Sequence, residues 1–209
     1  MTGAAPPGSE QETTPGTAGY HVYLAGPDVF FADARAVAAA KRELCARHGL
    51  IGHFPLDDVP AANLRHDVLA LAVFDACVAM MDRCDLAVVN MTPFRGVSMD
   101  VGSAVEMGYL FASGKPVFAY TDDPMDYRHR VEAAGRADGA EVEDFGWADN
   151  VMSEGVVRRS GGSVVRGAPD VATLEDGRVG PELAGFHACL HQVLEVLRSA
   201  PALPRRRSG

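Results

Sequence analysis

No apolar run in this sequence approaches the roughly 20 residues needed to cross a bilayer, and the opening MTGAAPPGSEQETTPGTAG has neither a basic n-region nor an apolar h-region. Neither export nor membrane attachment is expected, and a cytoplasmic location is. Cysteine is scarce. Cys45, Cys77, Cys84 and Cys189 are widely spread, with no Cys-x-x-Cys pair and no histidine spacing to match one, which suggests neither a zinc site nor a disulfide framework and fits reduced thiols. Positive charge is also in deficit, with 19 Lys and Arg against 28 Asp and Glu for a net charge of -9. A general affinity for nucleic acid is therefore not expected, nor one for anionic membrane, and small-molecule chemistry is the better reading. Finally, no G-x-G-x-x-G follows the first apolar run and no G-x-x-x-x-G-K-[ST] occurs, so the dinucleotide fingerprint and the P-loop are both missing.

What is present fills one domain. A chain of 209 residues with 47% hydrophobic content can bury a sizeable core, and no second compositional block stands apart from it. Residues 1–18, rich in Pro, Gly, Thr and Ala without periodicity, read as a disordered leader, and residues 201–209 as a flexible tail whose Arg205, Arg206 and Arg207 are assigned no role. The domain proper spans 19–200.

Within it, strand and helix patterns alternate. HVYLAG (21–26) is a β-type run ended by Gly-Pro, and residues 34–49 follow with helical composition and a terminal glycine. LIGHFP is a weaker second strand, 67–82 a long helix, LAVVN (86–90) a buried strand, and 102–113 a helix leading through Gly114 to the strand PVFAY (116–120). SVVRG (163–167) can supply a fifth strand, and Phe186, Leu190, Val193, Leu194 and Leu197 place an amphipathic helix over 182–199. Such alternation predicts an α/β fold, a parallel sheet covered on both faces, with ligands outside the carboxyl ends of the strands. The loops AGPDVF, NMTPFRGVSMD and YTDD should converge there.

The third strand's loop ends in SMDVGSAVEMGY, residues 98–109, which carries two acids. Asp100 suits the N-cap of the following helix. Glu106 lies inside that helix among Ala104, Val105, Met107 and Tyr109, where an unpaired carboxylate costs several kcal/mol. Either a nearby lysine or arginine neutralises it, or it faces the crevice beside Gly102 and Ser103, with the helix N-terminus favouring its ionised form. An ionised carboxylate beside one that carries a proton is equipment for cleaving a glycosidic bond, one attacking the anomeric carbon and the other protonating the leaving group.

The run 85–120, together with YLAGPDVF, FPLDDV and VEDFGWADNVM, resembles the nucleoside 2-deoxyribosyltransferase family over most of residues 20–155. The resemblance implies a flavodoxin-like, doubly wound, five-stranded parallel sheet in a single domain. It also implies exchange of the base of a 2'-deoxynucleoside by double displacement, with a nucleoside and a free base as partners and no metal or organic cofactor. Motif by motif, the nucleophile falls on Glu106 and the aspartate that contacts the base on Asp100. The N-x-M element by which a neighbouring subunit completes the sugar end falls on Asn150 and Met152, implying a homo-oligomer. Gly26, Asp28 and Phe30 in the first loop are candidate substrate contacts, and Asp57 in FPLDDV is another. Gly26 and Pro27 also suit a simple turn, and Phe30 or Met152 a place in the core.

Two departures stand out. Where the family has a further aspartate on the helix before the third strand, equal spacing gives Cys77, with Asp75 two residues away, so base handling is expected to differ. The long C-terminal segment also removes any role for the terminal carboxylate. Asp85 begins a strand at the end away from the crevice and reads as structural. Two alternatives stay open: an N-glycosidase acting on nucleosides or nucleoside 5'-monophosphates, with Arg95 at the phosphate, and a non-catalytic nucleotide-binding module.

Overall fold

The computed structural model describes residues 19–58, 65–167 and 183–199. The leader, residues 200–209 and part of the region before the last helix lie outside these described residues. Five parallel strands, β1 (His21–Ala25), β2 (Ile51–His53), β3 (Leu86–Asn90), β4 (Val117–Thr121) and β5 (Val165–Arg166), form one sheet in the order β2-β1-β3-β4-β5. Among the described residues six α-helices accompany them: α1 (Ala34–Arg47), α2 (His66–Arg83), α3 (Val101–Ala112), α4 (Tyr127–Ala133), α5 (Val151–Arg159) and α6 (Ala184–Ser199). This is the expected single-domain, doubly wound α/β architecture.

The two-residue periodicity of the central strands divides the core. Val22, Leu24, Leu86, Val88, Phe118 and Tyr120 point to one face, where α1 and α6 cover them through Leu44, Cys45, Phe186, Leu190 and Val193. Tyr23, Ala25, Ala87, Val89, Val117 and Ala119 point to the other, under α2, α3 and α5. Three of these six are alanines, and they make room for Met107 and Leu110 on the buried face of α3. Asp85 is structural, as expected. Its Oδ2 accepts from His21 N at 2.8 Å, and its own N donates to His21 O at 2.7 Å, joining the starts of β1 and β3. Helix α3 stops at Gly114, which has φ 74; Gly114 N donates to Phe111 O and Lys115 N to Leu110 O, the bonds of a left-handed C-terminal cap.

Helices α4 and α5 and a 3-10 turn at Pro27–Phe30 have no counterpart among the elements expected from the sequence pattern. Because β2 lies on one side of β1 while β3, β4 and β5 follow on the other, the chain reverses its winding between β1 and β3. The loops after these two strands border the crevice that such a reversal opens. No helix among the described residues is long and apolar enough to cross a membrane.

Candidate active site

Of the two acids that open and line α3, Glu106 meets a residue of the first strand. Tyr23 lies on the α3 face of β1, fully buried, and its hydroxyl donates to Glu106 Oε1 at 2.6 Å across the sheet–helix interface. Cys77, on α2, reaches the same phenol. Asp100 is the N-cap of α3: its Oδ2 accepts from Ser103 N at 2.9 Å and from Ser103 Oγ at 3.0 Å. Among the described residues, Glu106 therefore has neither a lysine nor an arginine as its hydrogen-bond partner. Its neighbours are a phenol, a thiol and a second carboxylate.

Burial pushes the pKa of Glu106 up from its ordinary 4.5 to about 7; the Tyr23 hydrogen bond opposes that rise and the charge of Asp100 adds to it. The helix N-terminus does not give the support for ionisation expected of it, because Glu106 is the sixth residue of α3, beyond the first turn where that field acts. Desolvation wins. Tyr23 is itself driven far above the usual phenol range, first by burial and then by Glu106, so it remains a proton donor. The Cys77 thiol is raised by burial and by the Glu106 charge, against a lowering by Tyr23, and does not act as a ready thiolate.

A second network sets the approach to Asp100. Arg130, buried on α4, donates to Val97 O and Ala148 O at 2.5 Å each and to Met125 O at 3.1 Å. Buried Asp149 accepts from Ser98 Oγ, from Met99 N at 2.8 Å and from Asn150 N at 2.8 Å. Together they tie residues 97–99 to the segment before α5. Neither Arg130 nor Asp149 carries a sequence signal, since their partners are mostly backbone atoms.

The remaining candidates occupy different places. Gly26 has φ 150, and a Cβ there would stand 2.7 Å from Asn90 Cβ and from Asp28 Oδ2, so glycine lets the ends of β1 and β3 approach. Asp28 is buried and occupied: Lys41 Nζ donates to it at 2.8 Å and Asn90 Nδ2 at 3.2 Å. Asp57 accepts from Phe54 N at 2.9 Å and pairs with Arg42, holding the turn after β2. Phe30 is exposed at the crevice mouth, stacked on Phe94 with ring centroids 5.3 Å apart, and the Arg95 guanidinium covers both rings. Asp75 is exposed.

Asn150 and Met152 lie apart from the acids, at the start of α5. The Asn150 side chain caps that helix, accepting from Met152 N at 3.0 Å and donating to Glu143 at 2.8 Å. With Val101, Ala104, Gly108 and Tyr127 they line an open cleft of about 610 Å³ between α3 and α5. Its rim carries apolar side chains in water, Val101 at 78% exposure and Met152 at 76%, and Val105, one turn on from Val101 in α3, is 65% exposed.

These features define an α/β protein with a half-buried carboxyl centre beside the switch point of its sheet. The family model of nucleoside 2-deoxyribosyltransferases matches residues 22–152, and the chain belongs to that family. It is 34% identical over 172 residues to the uncharacterized protein C191.05c of Schizosaccharomyces pombe, a match that covers 68% of this chain and 79% of that one. Among solved structures, a 2-desoxiribosyltransferase from Leishmania mexicana shares the fold with a TM-score of 0.56 at 24% identity, covering 87% of this chain and 99% of that one. A conserved protein from Enterococcus faecalis V583 does so with a TM-score of 0.50 at 22% identity, covering 84% and 99%.

Proposed function

We propose that this protein is a cytoplasmic nucleoside 2-deoxyribosyltransferase that exchanges bases through a deoxyribosyl ester on Glu106. The observation that carries this reading is the half-buried Glu106, oriented by the Tyr23 hydroxyl at 2.6 Å, in a helix capped by Asp100. A Glu106 carboxylate oxygen attacks C1' of the nucleoside and the bond from C1' to the base nitrogen breaks. The electron pair leaves with the base, which takes a proton through the Asp100 carboxyl. A second base then attacks C1', the ester bond breaks to regenerate the carboxylate, and the surplus proton of the incoming base returns to Asp100. Gly26 and Phe30 border the substrate, while Asp28 shapes the loop that carries them and Asp57 the turn after β2.

The test is incubation with a 2'-deoxynucleoside, with and without a second free base, with products followed by chromatography. Exchange that requires the acceptor base supports transfer. Base release without acceptor, fastest from 5'-monophosphates, would replace this reading with a hydrolase. Arg95 favours that second reading, because its guanidinium is held at the crevice mouth over Phe30 and Phe94 where a 5'-phosphate could meet it.

The pH dependence follows from the opposing effects on Glu106. Tyr23→Phe removes the hydrogen bond that favours the carboxylate, so the Glu106 pKa rises above about 7 and the acid limb of the kcat/KM profile moves to higher pH. At pH 6 the variant should turn over roughly tenfold more slowly than wild type, with a smaller difference at pH 8.5. Equal losses at both pH values would remove Tyr23 from the control of ionisation.

We propose further that a second copy covers the exposed apolar side chains of Val101, Val105 and Met152, and that its Asn150 and Met152 complete the sugar end of the site. In a two-fold dimer each subunit then contributes Glu106 to one site and Asn150 to the other. Asn150→Ser keeps an N-cap but loses the amide. Each of Asn150→Ser and Glu106→Ala should be nearly inactive alone, and mixing them under subunit exchange should restore roughly a quarter of wild-type activity, because half the dimers carry one intact site. No recovery in a mixture shown to contain heterodimers would mean that the sites are not shared.

A further inference from the structure

On the face of the sheet away from Glu106, three imidazoles come together that the base-exchange chemistry does not use. His48 directly follows α1, while His187 and His191 stand one turn apart on α6. Ring centroids are 5.4 Å apart for His48 and His187, 5.2 Å for His48 and His191, and 4.7 Å for His187 and His191. One ligating nitrogen from each lies within 4.8 Å of the other two. Of the seven histidines in the chain, only these form a three-donor group among the described residues.

We infer that His48, His187 and His191 bind one borderline divalent cation, with zinc as the chemical type. Donor chemistry selects the class: three imidazoles without a carboxylate suit zinc, nickel, cobalt or copper(II) and disfavour magnesium and calcium, which take oxygen ligands. Geometry permits it. Nitrogens bound tetrahedrally to zinc at about 2.0–2.1 Å stand roughly 3.3 Å from one another, so the cluster closes by side-chain rotation of about 1 Å, and His191 is exposed and able to make it. The scaffold is already rigid, because α1 and α6 share the core around Leu44, Cys45, Cys189, Leu190 and Val193. An i, i+4 pair on one helix presents two ligands to the same side, and the residue after α1 supplies the third. The fourth position is open to water or a small anion.

The sequence contained half of this arrangement. His187-x-x-x-His191 is a helical ligand spacing, but without a cysteine pair and with its third donor far upstream it gives no motif, and no metal was expected. A bound cation would clip the end of α1 to α6 and stabilise the fold by mass action, separately from base exchange.

Untagged full-length protein, stripped by chelator and dialysed against Zn2+, is expected to bind one ion per chain and to gain several degrees in melting temperature. With Co2+ as a probe it should show the visible absorption of a nitrogen-ligated, low-coordinate ion. His191→Ala, at an exposed position that does not threaten folding, should weaken Zn2+ binding at least roughly tenfold and abolish the cobalt spectrum. His21→Ala, which alters the separate pair of His21 and His53, should leave both unchanged. Sub-stoichiometric binding by the wild type would overturn the inference. So would binding that survives His191→Ala or disappears in His21→Ala.

Discussion

Glu106→Gln is expected to lower base exchange by roughly four orders of magnitude or more, the scale seen when a covalent nucleophile is removed, while making the folded protein harder to melt above pH 7. The two effects share one cause. Burial raises the Glu106 pKa from 4.5 to about 7, so the folded state holds this proton more tightly than the unfolded chain does. Below the unfolded value both states are protonated and no difference arises. As pH rises from about 4.5 through about 7, the unfolded chain ionises freely while the folded one resists, and stability falls by about 3 kcal/mol. Glutamine carries no such penalty. The variant should match wild type in melting temperature near pH 4, exceed it at pH 8, and still fail to exchange bases in single-turnover chromatography. Residual exchange above a few per cent would remove Glu106 as the nucleophile, and a uniform melting shift at both pH values would mean its ionisation does not load the fold.

This trade-off also explains why Glu106 was legible in the sequence and its partner was not. A lone acid inside the apolar run VGSAVEMGYLFA has few structural explanations, so composition alone singled it out. Tyr23 occupies an inward position of an ordinary β-type run, where nothing separates a tyrosine that only packs from one whose hydroxyl crosses to a neighbouring helix. Spacing identified Cys77 as a departure from the family pattern, but its contact with Tyr23 depends on how α2 lies against β1. The strands and longer helices were legible because burial on one or both faces imposes a period. Helix α5 was not: nine residues containing Gly155 and two arginines carry a weak pattern, and Asn150, taken from the resemblance as a ligand residue, is also its N-cap. The same limit applies to Asp28, whose partner lies in an alanine-rich helix that reads as solvent-facing.

That partner is Lys41, and Lys41→Met is expected to destabilise the protein by about 3–5 kcal/mol, the cost of leaving one charge of a buried pair uncompensated. The Lys41 side chain is 2% exposed. Its ammonium donates to Asp28 Oδ2 and to Tyr120 Oη at 2.8 Å each and lies 5.4 Å from the Tyr120 ring centroid and 5.2 Å from that of Phe186. Burial lowers the Lys41 pKa while Asp28, and more distantly Asp122, raise it, so the charged form depends on its carboxylate partner. Methionine fills the space but leaves Asp28 with Asn90 as its side-chain donor. For a domain of this size the loss corresponds to a fall of roughly 10 °C in melting temperature. Lys41→Met combined with Asp28→Asn should recover much of it, because a neutral amide beside Asn90 no longer needs a counter-charge. A double variant that loses the sum of the two single losses would show that the groups act independently. The pair also bears on the site, since Asp28 lies two residues beyond Gly26, where a Cβ would collide with Asn90 at the end of β3. Loosening it should raise KM more than it lowers kcat if the first loop binds substrate while Glu106, fixed from Tyr23, carries out the bond exchange.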